Sequence, residues 1–273
     1  MRFYKRLGQL KSKIIISFLI LIPLALLTGI YDLEISKLVV NDNSNWARFL
    51  QNYGMIPGLF VIMSGVYIYY SHIKEKSNVF GYSQKIFFFL VNSGLTYYLF
   101  EILLDRIVQD NLIIFLTISF SLNLVVFIVI HIVTQVTGSI LINYSKVVLG
   151  MALWGYVFGI QIVKYFWGRV RFRELDATFS QFTPWYLPQG ITGFDSFPSG
   201  HAAMGWMLLA ILVMFDNKKK WLKNLALVVI ILWGVLLATS RAIIGAHFAS
   251  DVLFGSFFII IAFLYFRSKN SVN

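Results

Sequence analysis

Eight apolar runs, each close to the length that crosses a bilayer, limit what this chain can fold into. They are Lys13–Ile30, Met55–His72, Gln84–Leu104, Leu112–Val133, Val147–Phe166, His201–Phe215, Leu222–Thr239 and Asp251–Phe266. A helix needs about 20 apolar residues to cross the hydrocarbon core. Lipid offers no hydrogen bonds, so the backbone must satisfy itself, and a helix does so within one segment. The composition agrees: 58% of residues are hydrophobic and 13% charged, against about 25% charged in a soluble domain. The expectation is an all-α, polytopic transmembrane helical bundle of about eight spans, forming a single integral membrane domain over residues 1–273. His201–Phe215 is short for a crossing unless its helix begins inside the preceding loop.

The formal charge of +11 would point to nucleic acid in a soluble protein. Here it reads as loop charge that sets orientation, and no nucleic-acid partner is expected. MRFYKRLGQLKSK, HIKEKSNVFGYSQK, DNKKKWLK and RSKN fall on one side of an eight-span chain. YDLEISKLVVNDNSN and DRIVQD fall on the other and carry acidic residues, whereas QVTGSILINYSK is uninformative. Both termini are therefore expected in the cytoplasm. No small-residue cleavage site follows the basic start, so the first helix is read as retained. Small size and the lack of eukaryotic sorting signals suggest a bacterial plasma membrane. With no cysteine, disulfides, thiolate chemistry and cysteine metal sites are excluded. No internal repeat or low-complexity tract is visible.

This orientation puts the long loop Trp167–Gly200 and the turn around Arg241–His247 together on the outside, where three polar clusters gather. KYFWGRVRFRE ends the fifth span. Lys164 and Arg171 lie about two helical turns apart and would share a face if the helix continued; cations snorkelling to headgroups are the alternative. FPSGHAAMGW, Phe197 to Trp206, brings Pro198, Ser199, Gly200 and His201 to the mouth of an apolar run. A serine N-cap explains part of this, but not the histidine. SRAIIGAHFASD contains Arg241 and His247, with Asp251 four residues after the histidine, where a helix would stack carboxylate on imidazole. Ionisable residues beside a membrane are costly, so a function is the default.

Taken jointly, the clusters supply three cations, two imidazoles and a carboxylate at outer helix ends. Three converging cations repel one another unless a multiply charged anion binds them. Phosphate fits, with Arg giving bidentate forks and Lys a point charge. Backbone N–H groups of Ser199 and Gly200 at a helix start would add donors. These cations would repel a metal, so no metal is expected. His72 and His131 lack such company, and His131, inside an apolar run, reads as a structural residue.

The order K-x6-R, PSGH and SR-x5-H-x3-D resembles the signature of the type 2 phosphatidic acid phosphatase family, whose active site is shared with bacterial acid phosphatases and vanadium haloperoxidases. The resemblance implies a phosphatase core over residues 145–267, preceded by N-terminal helices over 1–144, beyond the family's usual six-helix plan. It implies that His247, oriented by Asp251, attacks phosphorus to form a phosphohistidine. His201 would protonate the leaving oxygen and then activate water. Lys164, Arg171, Ser199, Gly200 and Arg241 would bind the phosphoryl oxygens, with no metal and no cofactor. The family usually places Pro after the first motif's Arg; here Phe172 stands there, and Arg169 or Arg173 would partly share the role of Arg171. The expected substrate is a lipid phosphomonoester or diphosphate of the phosphatidic acid, phosphatidylglycerol phosphate or polyprenyl diphosphate type, reached from the surrounding membrane lipids. Transfer of the phosphoryl group to another lipid or sugar, and a non-enzymatic binding or transport protein, are the alternatives. Leu175–Asp195, with Phe179, Phe182, Trp185 and Tyr186, is read as a lid or lipid-selecting wall, or else an interfacial aromatic belt.

Overall fold

The computed structural model describes residues 2–72, 79–104 and 139–270, with isolated helical positions between 113 and 128. Its helices are α1 (Arg2–Val39), α2 (Asn45–Tyr53), α3 (Ile56–Ser71), α4 (Val79–Leu104), α5 (Ser139–Gly150), α6 (Val163–Trp167), α7 (Gly200–Trp206), α8 (Lys220–Ile243) and α9 (Ala249–Asn270). A π-helical stretch, Met151–Ile162, joins α5 to α6, and a 3₁₀ stretch, Met207–Phe215, continues α7. The described residues contain no strand, as expected of an all-α bundle.

Among the described residues, six helical segments are long and apolar enough to cross a membrane: Leu10–Val39, Asn45–Ser71, Gly81–Leu103, Ser139–Glu174, Lys220–Ile243 and Ala249–Asn270. These support an integral membrane protein. The segment 200–215 is apolar but shorter. The span expected over Leu112–Val133, with His131, and the loop DRIVQD lie almost wholly outside the described residues. Two boundaries move relative to the sequence reading. YDLEISKLV, expected as loop, is the last part of α1, and residues 139–146, also expected as loop, are helical. In both places apolar residues interleave with the polar ones, so the helix continues past the point where average hydropathy falls. His72 ends α3 with its Nδ1 2.8 Å from the Ile68 carbonyl.

The core lies among α3, α5, the π-helical stretch, α7 with its 3₁₀ extension, and α9. Val148, Met151, Ile160, Met207 and Ile259 are fully buried there. The segment 45–71 is the most enclosed of the six, whereas α1 and α4 turn Ile and Leu or Phe side chains outward, as lipid-facing helices do. α1 packs along α9. It turns inward a stripe at three- and four-residue spacing: Leu21, Ala25, Thr28, Asp32 and Ser36, all buried. α2 covers the turn after α8, where Ala47 packs on Ile243, Ile244 and Ala246. These placements close a polar compartment at one end of the bundle.

Candidate active site

Helix α6 stops one residue before Gly168, whose φ of 63° is left-handed. A Cβ there would come within 2.2 Å of the Gly190 carbonyl, so glycine is needed for both conformation and space. The chain then runs extended, and the loop after residue 184 folds back along it. Trp167 Nε1 donates to the Trp185 carbonyl at 2.8 Å, Thr192 Oγ1 to the Gly168 carbonyl at 2.9 Å, and the Ser196 amide to the Arg169 carbonyl at 2.9 Å. Lys164 and Arg171 therefore do not share a helical face. They meet instead on Asp195. Lys164 Nζ donates to its carbonyl oxygen at 2.5 Å and lies 3.5 Å from Oδ2, and Arg171 Nη2 lies 2.5 Å from Oδ1. Burial alone would raise the Asp195 carboxyl, but Lys164, Arg171 and then His247 outweigh it and hold it below the usual carboxylate range.

The PSGH segment begins α7 with Ser199 as N-cap, its Oγ accepting the Ala202 N–H at 3.4 Å. The Ser199 amide, expected to face a phosphate, instead donates to the Asp251 carbonyl at 2.9 Å. This approach is possible because residue 255 is glycine: a Cβ there would lie 2.3 Å from the Ser199 carbonyl. His201 Nε2 is 3.1 Å from the Gln51 carbonyl on α2. A carbonyl only accepts, so Nε2 carries the hydrogen.

Arg241 lies in the last turn of α8 with 4% of its surface exposed. Its Nε and Nη1, together with Arg171 Nε, are buried and have no hydrogen-bond partner among the described residues. Such donors are costly to leave unmatched, and an anion is their natural complement. The Ala246 and His247 amides both donate to the Arg241 carbonyl, at 3.1 and 3.2 Å, and Gly245 supplies the left-handed φ of 65° for this turn. His247 is 2% exposed. Burial pushes its imidazole down to about 4, against the pull of Asp251, and Lys164 and Arg241 add to the fall. It is thus neutral near pH 7, with a lone pair available.

Asp251 does not stack on His247 as an i,i+4 pair within one helix, because His247 precedes α9. Its Oδ2 lies 3.6 Å from His247 Nδ1, longer than a hydrogen bond. That oxygen accepts from Ser196 Oγ at 2.6 Å and the Phe248 amide at 2.8 Å, and Oδ1 accepts Arg169 Nη1 at 2.6 Å. Arg169 is accordingly no second Arg171. It is fully buried, stacked 4.0 Å from the Phe248 ring centroid, and donates to Asp251, to Ser250 Oγ at 2.8 Å, to the Thr183 carbonyl at 2.9 Å and to Asp32 at 2.9 Å. Asp32 is a residue that the motifs do not reveal. The four-residue spacing of Thr28, Asp32 and Ser36 along α1 was the available signal, because it places a carboxylate on a buried stripe.

The aromatic loop is anchored rather than free. Trp185 Nε1 donates to the Ala25 carbonyl of α1 at 2.9 Å, and Phe182 packs on Phe248 at 5.3 Å. Phe179 stacks on Phe172, and Tyr186 remains exposed.

Comparison with known families fits this geometry. The PAP2 superfamily model matches residues 143–271. The resemblance is confined to this part of the chain, a little under half of its length. This match supports a phosphatase acting on phosphate esters. The PAP2 stretch carries Lys164, Arg171, Ser199, Gly200, His201, Arg241, His247 and Asp251, whereas Asp32 and Gln51 come from helices that precede it. No curated protein and no solved structure matches the chain.

Proposed function

We propose that the protein is a membrane lipid phosphatase that hydrolyses a phosphomonoester or diphosphate of a lipid on the extracytoplasmic side, through a phosphohistidine on His247. The observation that carries this reading is the buried Arg241 guanidinium, with two unmatched donors, beside a buried neutral imidazole. Lys164 and Arg171 complete the cationic wall once the phosphoryl group replaces the Asp195 carboxylate as their partner. Gly200, at the start of α7, would add its amide. Ser199 would contribute only through its hydroxyl, its amide being committed to Asp251.

In the first step His247 Nε2 attacks phosphorus as the P–O bond to the lipid breaks, and His201 gives a proton to the leaving oxygen. For this His201 must enter as the imidazolium, protonated on both ring nitrogens; it gives up the Nε2 proton, releasing the Gln51 carbonyl to reach the substrate, and is left as a neutral imidazole with its hydrogen on Nδ1. In the second step His201 takes a proton from water, the resulting hydroxide attacks phosphorus, and the P–N bond breaks. Arg241, Arg171 and Lys164 stabilise charge on the phosphoryl oxygens in both steps. Charge supports this sidedness: Lys218, Lys219 and Lys220 lie at the end of α8 opposite Arg241, which favours a cytoplasmic face there. A lipid would keep its tails in the bilayer while its headgroup reaches the site.

The test is phosphate release by detergent-purified protein from phosphatidic acid, phosphatidylglycerol phosphate and undecaprenyl diphosphate, with chelator present. Chelator-resistant release that disappears in His247→Ala is expected. Well-folded protein that releases no phosphate from any of them would overturn the reading. Phosphate recovered on an acceptor lipid or sugar would replace hydrolysis by transfer.

A further inference from the structure

Two carboxylates flank one guanidinium behind the candidate nucleophile. Asp32, Arg169 and Asp251 are all within 1% of complete burial. Asp32 Oδ2 receives Arg169 Nη2 at 2.9 Å and the Ser250 hydroxyl, and Oδ1 receives the Ser250 amide at 3.0 Å. The guanidinium and the amide can only donate, and the Ser250 hydroxyl, which already accepts from Arg169 Nη1, is placed to donate as well; an ionised carboxylate matches this set. The set Asp32⁻, Arg169⁺ and Asp251⁻ thus carries one surplus negative charge, facing an imidazole that becomes positive when it bonds to phosphorus. Without Asp32, Arg169 would cancel Asp251 and leave that positive charge unmatched in a dry site, where such interactions are strong.

We propose that Asp32, on α1 and outside the PAP2 stretch, is a positioning residue of the phosphatase reaction. Through Arg169 and Ser250 it holds the Asp251 carboxylate in place and preserves the negative charge behind His247. The inference rests on the phosphohistidine reading above. It gives the first transmembrane helix a part in the chemistry, although no residue of α1 need touch substrate.

The experiment uses full-length, detergent-purified protein with dioctanoyl phosphatidic acid or farnesyl diphosphate, whichever the wild type hydrolyses. Asp32→Asn keeps the shape and removes the charge. Its kcat is expected to fall about 10–100-fold, the range seen for residues that act through another group, while KM stays within about threefold. The acid limb of kcat, where His247 protonates, should move about one unit lower. A pH profile superimposable on the wild type, or a loss confined to KM, would overturn the proposal. Should Asp32→Asn not fold, the double variant Asp32→Asn/Arg169→Gln removes the pair together and keeps the test open. Its acid limb should rise, because Arg169, the nearer charge to Asp251, is gone; an unmoved limb would overturn the idea. Absence of turnover by the wild type would overturn the phosphohistidine reading and this proposal with it. Wild-type turnover lost in His247→Ala, with an unaltered Asp32→Asn profile, would sink the proposal alone.

Discussion

The two ends of the α8–α9 pair carry ion pairs of similar length and opposite consequence. At the site end, Arg169 lies 2.6 Å from Asp251 and 2.9 Å from Asp32, with all three side chains buried. At the other end, Asp216 lies 2.6 Å from both Lys223 and Arg267, but these side chains are a quarter to a third exposed. Water screens the second cluster, and exposed pairs of this kind contribute about 0–1 kcal/mol. The first cluster gave up its hydration on folding, so loss of one member strands the others. Distance alone does not rank these interactions; the surrounding medium does. The buried set also carries a specific charge imbalance, which a surface cluster could dissipate into solvent.

The largest effect should come from Arg169→Leu, which leaves two buried carboxylates facing each other. A loss of about 3–5 kcal/mol is expected, read as a large fall in Tm or no recoverable folded protein. A change under about 1 kcal/mol would erase the distinction between the two ends. Next, Gly168→Ala forces a side chain into left-handed backbone and onto the Gly190 carbonyl. A cost of about 2 kcal/mol, with raised KM as Lys164 and Arg171 shift, would be seen by thermal melting and kinetics together. The third test is one of pH. The proposed nucleophile His247 could attack only when neutral, so turnover should be lost as pH falls through about 4. Below that value the rate should drop about tenfold per unit, a pH–rate profile being the measurement. The smallest effect belongs to Asp216→Asn, expected to change stability by less than about 0.5 kcal/mol and leave kcat unaltered. A larger change, measured by chemical denaturation, would mean that the exposed end is drier than its accessibility implies.

Much of this arrangement was legible in the sequence because the residues proposed to face phosphate are polar groups in apolar surroundings. Lys164, Arg171, His201, Arg241 and His247 stand out against such a background, and all but Arg171 lie at or next to an α-helix end. Residues that support others were harder to see. Asp32 sits among YDLEIS, which reads as loop charge until the helix is known to continue through it. Arg169 is one of three arginines in five residues, and only the left-handed turn at Gly168 separates its direction from that of Arg171. The commitment of the Ser199 amide to Asp251 depends on how closely α9 approaches, which residue 255 permits through a contact distant in sequence. Motif spacing reports which groups a reaction needs, whereas their hydrogen-bond partners are chosen by tertiary packing.

The bond from Arg169 to Asp32 also bears on modularity. The stretch recognisable as a PAP2 unit contains every group proposed to touch phosphate, yet its most deeply buried cation finds one of its two counter-charges on another segment of the chain. Cut out as an autonomous cassette, or grafted behind a foreign leader helix, that unit would present an arginine with half its complement missing. The reverse follows as well. A separately synthesised first helix bearing Asp32 would dock by the same pairing, so that in this molecule the seam of a recombination experiment would belong inside the polar stripe of α1 rather than at the edge of the sequence family.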